Sequence, residues 1–136
     1  MIDAHHHLWK YSAAEYGWIG PQMPALRKDF LPEELEKVMH HFGIEGTVAV
    51  QARQSLEETS WQPELAGKHP LIRGVVGWVP LTEGDAVKRH LARFAPNPNL
   101  RGATLSRTRA TRATSCAVTS TPASTRCSIT NSVTTS

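Results

Sequence analysis

Apolar positions in the first hundred residues follow two patterns that alternate along the chain. Ile2 to Leu8 is a short strand candidate, and the apolar runs Thr47 to Gln51 and Leu71 to Val79 read as buried strands, which predicts strands over 2–7, 46–52 and 72–79. Between them the apolar residues recur at three and four. Leu35, Val38, Met39 and Phe42 mark one face of a helix near 32–42, opened by Asp29 and Pro32 and stopped by Gly43. Ser55 with Glu58 three residues later has the spacing of a capping box, and it predicts a helix near 56–67 with Trp61 and Leu65 on one face. Thr82 and Asp85 precede a third helix near 83–94, striped by Val87, Leu91 and Phe94.

Strands separated by helices of this length pair in parallel through right-handed crossovers, so the fold class is α/β with the three helices on one side of the sheet. Periodicity leaves open whether the sheet is doubly wound or part of a (β/α)8 barrel. The aromatic segment from Trp9 to Pro24, with Tyr11, Tyr16 and Trp18, is longer than a plain connector needs to be.

Composition divides the chain near residue 100. Residues 1–100 carry 10 Lys and Arg against 12 Asp and Glu, while residues 101–136 carry five Arg and no acid, so the net charge of +3 comes from the tail. All nine aromatic residues and all seven histidines precede residue 101, and the last 36 residues hold ten Thr and seven Ser. We therefore divide the chain into an organised segment, 1–102, and a Ser/Thr/Arg-rich tail, 103–136. Five scattered arginines without interleaved aromatics argue against a nucleic-acid arm. No apolar run approaches the roughly 18 residues of a membrane span, and Met1 to His5 lacks the basic and apolar parts of a secretory signal. The expected setting is the reducing cytoplasm, where Cys116 and Cys127 need not be bridged.

The first strand carries the most informative chemistry. In Asp3-Ala4-His5-His6-His7, alternation along a strand turns His5 and His7 to one face and His6 to the other. Two converging imidazoles near a strand end supply two of the three or four ligands of a Zn2+-like ion, or else simply satisfy each other within a core. His40 and His41 end the first helix, where cations suit the helix dipole, and receive no catalytic role.

Five ordered stretches, Met1-Ile2-Asp3-Ala4-His5-His6-His7-Leu8-Trp9, Tyr16-Gly17-Trp18-Ile19, Arg27-Lys28-Asp29-Phe30, Gly46 to Ala52 and Gly74 to Val79, together resemble the amidohydrolase superfamily. The likeness is to its amidohydrolase-related branch of fuconolactonase-like sugar lactonases, and it spans essentially all of residues 1–102. It implies the N-terminal part of a (β/α)8 TIM barrel, about three βα units, followed by an irregular tail. It also implies that His5 and His7 are catalytic and bind a divalent metal, and that the substrate is a small lactone or carboxylate. Gln51 and Arg53 would face the same mouth, Arg53 as a bidentate holder of a carboxylate, with Trp9 and Trp18 as pocket walls. Later strands of the family supply further His and Asp groups, so this chain is expected to be inactive as it stands.

The tail has the composition that GC-rich coding DNA gives when read out of frame. A back-translation from Ala103 allows, in another frame, an acidic and aromatic text of the kind that follows Leu-Arg-Gly in this family. On that reading residues beyond about 106 are irregular and solvent exposed, because too few apolar side chains remain to offset the entropy of ordering them. Two readings from other classes stand beside the enzyme: a non-catalytic truncated fragment that self-associates through open strand edges, and a small intact binding module.

Overall fold

The computed structural model describes residues 1–104 in full and the backbone of residues 115–121 and 124–130. Three strand–helix units come first: β1 (Ile2–His6), α1 (Pro32–His41), β2 (Gly46–Val50), α2 (Leu56–Lys68), β3 (Ile72–Trp78) and α3 (Ala86–Phe94). They are followed by β4 (Leu100–Thr104), β5 (Ser115–Thr121) and β6 (Ser124–Thr130). The strands lie in sequence order in one six-stranded sheet. β1 to β4 pair in parallel, as the crossover helices require. This is the α/β arrangement of part of a TIM barrel.

The irregular tail expected beyond residue 106 is corrected at two places. β5 pairs antiparallel with β4, Ala103 opposite Cys116, and β6 pairs antiparallel with β5 along its full length. Main-chain pairing on the edge of β4 builds both strands, and Thr, Val and Ile are at ease in extended backbone. The other tail positions, 105–114, 122–123 and 131–136, lie outside the described residues.

Side chains from all three helices enter one core with the sheet: Leu35 from α1, Leu65 and Ala66 from α2, and Leu91 and Phe94 from α3 pack with Ala49, Val75 and Leu100. Placing all three helices on one side of the sheet agrees with right-handed crossovers. Among the described residues no helix is long and apolar enough to cross a membrane.

Helix ends depart from the sequence reading in informative ways. Pro32 is the first residue of α1, whose start has no side-chain cap; the Asp29 carboxylate instead accepts the Tyr11 N–H at 2.7 Å. Gly43, at φ 64°, ends the helix in the left-handed region, and the Ile44 N–H closes on the Met39 carbonyl. At α3 the Asp85 carboxylate makes no cap and pairs with Lys88 at 2.6 Å. Of the apolar face expected on α1, Met39 is fully buried, whereas Val38 and Phe42 are 52% and 65% exposed. A stripe wide enough for two neighbours meets only one among the described residues.

Candidate active site

Alternation along β1 does what the sequence implied. His5 and His7 come together with their Nε2 atoms 3.3 Å apart and their rings edge to face, while His6 turns away to place Nδ1 2.5 Å from the Thr47 hydroxyl. A bulge between Asp3 and His6 shifts the β1–β2 register, and the freed His5 N–H is taken by the Asp3 carboxylate at 3.1 Å. His7 Nδ1 donates to the Val50 carbonyl at 3.0 Å, since a carbonyl can only accept. In the neutral ring this leaves the His7 Nε2 lone pair free and facing His5. Half-burial holds the His6 imidazole below its ordinary range, with the Asp3 carboxylate as a weaker opposing influence.

The remaining predicted site residues are placed less simply. Gln51 follows β2 directly, its N–H bonded to the Val76 carbonyl, and its side chain is buried at 8% exposure with Oε1 unpartnered among the described residues. Arg53 is already engaged: Nη1 lies 2.7 Å from Glu15, Nη2 3.9 Å from Glu57, and its guanidinium sits 5.5 Å from the Tyr16 ring centre. Trp18 is half exposed and meets Trp9 edge to face at 6.4 Å. Trp9 is buried, its indole N–H held by the Lys28 carbonyl at 3.0 Å, so it anchors the loop more than it walls a pocket.

The residue that sequence reasoning missed is Glu58. Ser55 does cap α2, its hydroxyl accepting the Glu57 and Glu58 N–H groups, but Glu58 does not reach back to complete the box. At 2% exposure its carboxylate instead accepts the Ala52 and Arg53 N–H groups, both at 3.0 Å, and the Tyr16 hydroxyl at 3.3 Å. Burial raises the Glu58 carboxyl above its ordinary value, only partly opposed by the Arg53 and Ala52 N–H bonds. Burial also raises the Tyr16 phenol, aided by the Glu58 charge. No spacing rule announces a partner 42 residues away. The adjoining cavity, about 230 Å3, is lined by Lys10, Glu15, Tyr16, Arg53, Glu57 and Trp61 besides Glu58, and includes neither His5 nor His7.

Among the described residues no three His, Cys, Asp or Glu side chains gather as a metal-holding group. The His5–His7 pair is a two-donor arrangement. Two nitrogens bound at tetrahedral angles to one zinc ion stand about 3.3–3.4 Å apart, so this pair fits two of an ion's ligand positions.

Residues 2–123 match the amidohydrolase family. An L-fucono-1,5-lactonase from Burkholderia multivorans is 42% identical over 88 residues, covering 65% of this chain and 30% of that protein. A second, from Burkholderia ambifaria, is 34% identical over 101 residues, covering 74% of this chain and 34% of its own length. The chain thus spans about a third of the length of these curated relatives. A crystal structure of an amidohydrolase from B. multivorans with bound Zn superimposes with a TM-score of 0.69 at 40% identity, covering 75% of this chain and 35% of that one. The form with bound HEPES gives 0.70 at 39% identity with the same coverage. The family match, running to residue 123, reaches further into the tail than the 102-residue limit drawn from the motifs. The chain belongs to the amidohydrolase family.

Proposed function

We propose that this chain supplies the first units of a lactone-hydrolysing site in which His5 and His7 are two ligands of a divalent metal. The observation that carries the reading is the 3.3 Å convergence of their Nε2 atoms, with His7 fixed through Nδ1 on the Val50 carbonyl. The lactonase names of the relatives and the zinc in the B. multivorans structure support the reaction and the metal class. When bound, such an ion polarises a lactone carbonyl and acidifies a water for attack on it.

The chain's own groups then divide the remaining work. His5 and His7 hold the reacting centre at the end of β1, where barrels carry their chemistry. Trp18 offers an apolar wall to the ring of the substrate. Arg53 takes the carboxylate set free when the lactone ring opens by exchanging it for Glu15, with which it is paired in the structure. Gln51, buried directly after β2 with its Oε1 unpartnered among the described residues, stands beside the His7 anchor on Val50 and is taken as a binding residue of the same mouth. Glu58 keeps the Ala52–Arg53 turn in place by binding its two N–H groups.

Two imidazoles fall short of the three protein ligands that a catalytic zinc ion normally has. The described residues alone therefore bind zinc weakly and do not turn over lactones. A zinc titration of the chain, followed on the imidazole resonances, tests the ligand assignment. His5 and His7 move together, and His5→Ala abolishes the response of His7; a response centred on His40, His41 or His69 contradicts the assignment.

The acid-free, aromatic-free composition of residues 103–136 supports an out-of-frame origin for the tail, and main-chain pairing of β5 and β6 requires no in-frame text. The family match through residue 123 weighs against it. The nucleotide sequence across codons 98–136 decides: a second frame continuing into a long reading frame with later His and Asp codons supports it, and none contradicts it.

A further inference from the structure

We propose that Trp78 is a specificity-determining residue of the lactone site, its indole N–H donating to a ring hydroxyl of the substrate, so that a polyhydroxylated six-membered lactone is preferred to the bare ring. This rests on the lactone-hydrolysing reading above. The placement follows from alternation along the strands. Leu8, Val75 and Val79 lie in the core shared with the helices, and a Cβ on Gly77 would meet Thr59 of α2. His5 and His7 alternate with His6 and Leu8, and Val76 and Trp78 alternate with Val75, Gly77 and Val79, so the two imidazoles and the indole share the opposite face of the sheet. His7 is bonded to the Val50 carbonyl, Val50 is level with Val76, and Trp78 stands two residues further on as the last residue of β3. Two strand spacings, about 10 Å across the sheet, separate it from the imidazoles at the strand ends where barrels bind their substrates.

Two observations single Trp78 out among the four tryptophans. Its main chain is held from α2, the Thr59 hydroxyl accepting its N–H at 2.8 Å and lying 2.7 Å from its carbonyl. Its Nε1 is shut away from water without a partner among the described residues. By contrast the Trp9 indole is bonded to the Lys28 carbonyl, Trp61 packs against the helix-side core and Trp18 is half exposed. An indole nitrogen only donates, and a hidden donor without an acceptor is costly, so a ligand oxygen that answers it recovers the loss. The ring is partly exposed and nothing among the described residues holds it at Nε1, which leaves it free to turn toward an acceptor in the mouth. A ring hydroxyl is such an acceptor and a ring methylene is not. The lactone carbonyl, common to both kinds of ring, faces the imidazoles, and the indole discriminates at the far side.

The full chain, labelled with 15N, is titrated with the 1,5-lactam of a six-carbon aldonic acid, a hydroxylated ring that resists hydrolysis. The indole N–H resonances are read separately, each assigned by a single Trp→Phe substitution. The Trp78 N–H moves downfield and saturates while that of Trp9 stays in place. δ-Valerolactam, the same ring without hydroxyls, binds about 10-fold more weakly and leaves the Trp78 N–H where it was. In Trp78→Phe, followed on the Trp18 indole, the two lactams bind alike; should that variant not fold, the titrations of the parent chain decide. Equal movement of the Trp78 N–H with both lactams, a response confined to the other tryptophans, or no response to the hydroxylated lactam overturns the proposal. The zinc titration stands apart from this test. His5 and His7 moving with zinc while Trp78 ignores the lactam keeps the metal ligands and removes this proposal, and a Trp78 response without a zinc response does the reverse.

Discussion

The Tyr16 hydroxyl donates to the Glu58 carboxylate across 3.3 Å and so ties the long loop after β1 to the start of α2. The other Glu58 oxygen accepts the Ala52 and Arg53 N–H groups, so one buried side chain fixes two loops beside the candidate site. Glu58→Ala leaves those N–H groups without partners and is expected to cost about 2–4 kcal/mol. Glu58→Gln keeps an oxygen for the two N–H groups and an amide for Tyr16, and should cost well under half as much. Urea denaturation of the two variants measures the difference.

Glu58 also sets a pH dependence. Its folded carboxyl lies above the ordinary value of 4.5, so between that value and the folded one the folded chain keeps a proton that the unfolded chain has lost. This contribution to stability is full below 4.5 and is lost as pH rises through the folded value. Stability measured from acid to neutral pH should therefore rise in Glu58→Gln relative to the parent as pH increases. Parallel curves would show that burial does not perturb this carboxyl.

Thr59 joins α2 to β3. Its fully buried hydroxyl lies 2.7 Å from the Trp78 carbonyl and accepts the Trp78 N–H at 2.8 Å. Thr59→Val keeps the shape and removes the hydroxyl, and we expect a loss of about 1–3 kcal/mol in unfolding free energy. Thr59→Ser, which retains the hydroxyl, should lose less.

Gly77 stands where Thr59 leaves no room: a Cβ there would lie 2.6 Å from the Thr59 Cγ2. Gly77→Ala is expected to destabilise by about 1–3 kcal/mol through overpacking. Combining it with Thr59→Ser removes the opposing methyl, so the pair should cost less than the two single changes added together. Simple additivity would show that the backbone, not this methyl, limits position 77.

The strands and helices of residues 1–100 were legible because each has its own periodicity, and observed β2 and β3 lie within the ranges the pattern drew. The His5–His7 pair was legible for the same reason, since period-two alternation turns both rings to one face. What periodicity could not show is which neighbours exist. Val38 and Phe42 fit a buried stripe, yet nothing among the described residues covers them. Glu58 fits a capping box, yet a buried tyrosine and two N–H groups compete for its carboxylate. Arg53 reads from sequence as a holder of a substrate carboxylate, and in the structure its guanidinium is paired with Glu15, distant along the chain. The order of β5 and β6 escaped because apolar content says nothing about pairing on an edge strand.

Replacing the matching first third of the B. multivorans L-fucono-1,5-lactonase with residues 1–102 of this chain, and measuring lactone hydrolysis, tests the central claim most directly. The chimera should hydrolyse the lactone, and His5→Ala or His7→Ala should each lower kcat/KM by orders of magnitude while circular dichroism stays unchanged. A folded chimera whose turnover is indifferent to both substitutions would contradict the assignment of the first-strand histidines to the reacting centre.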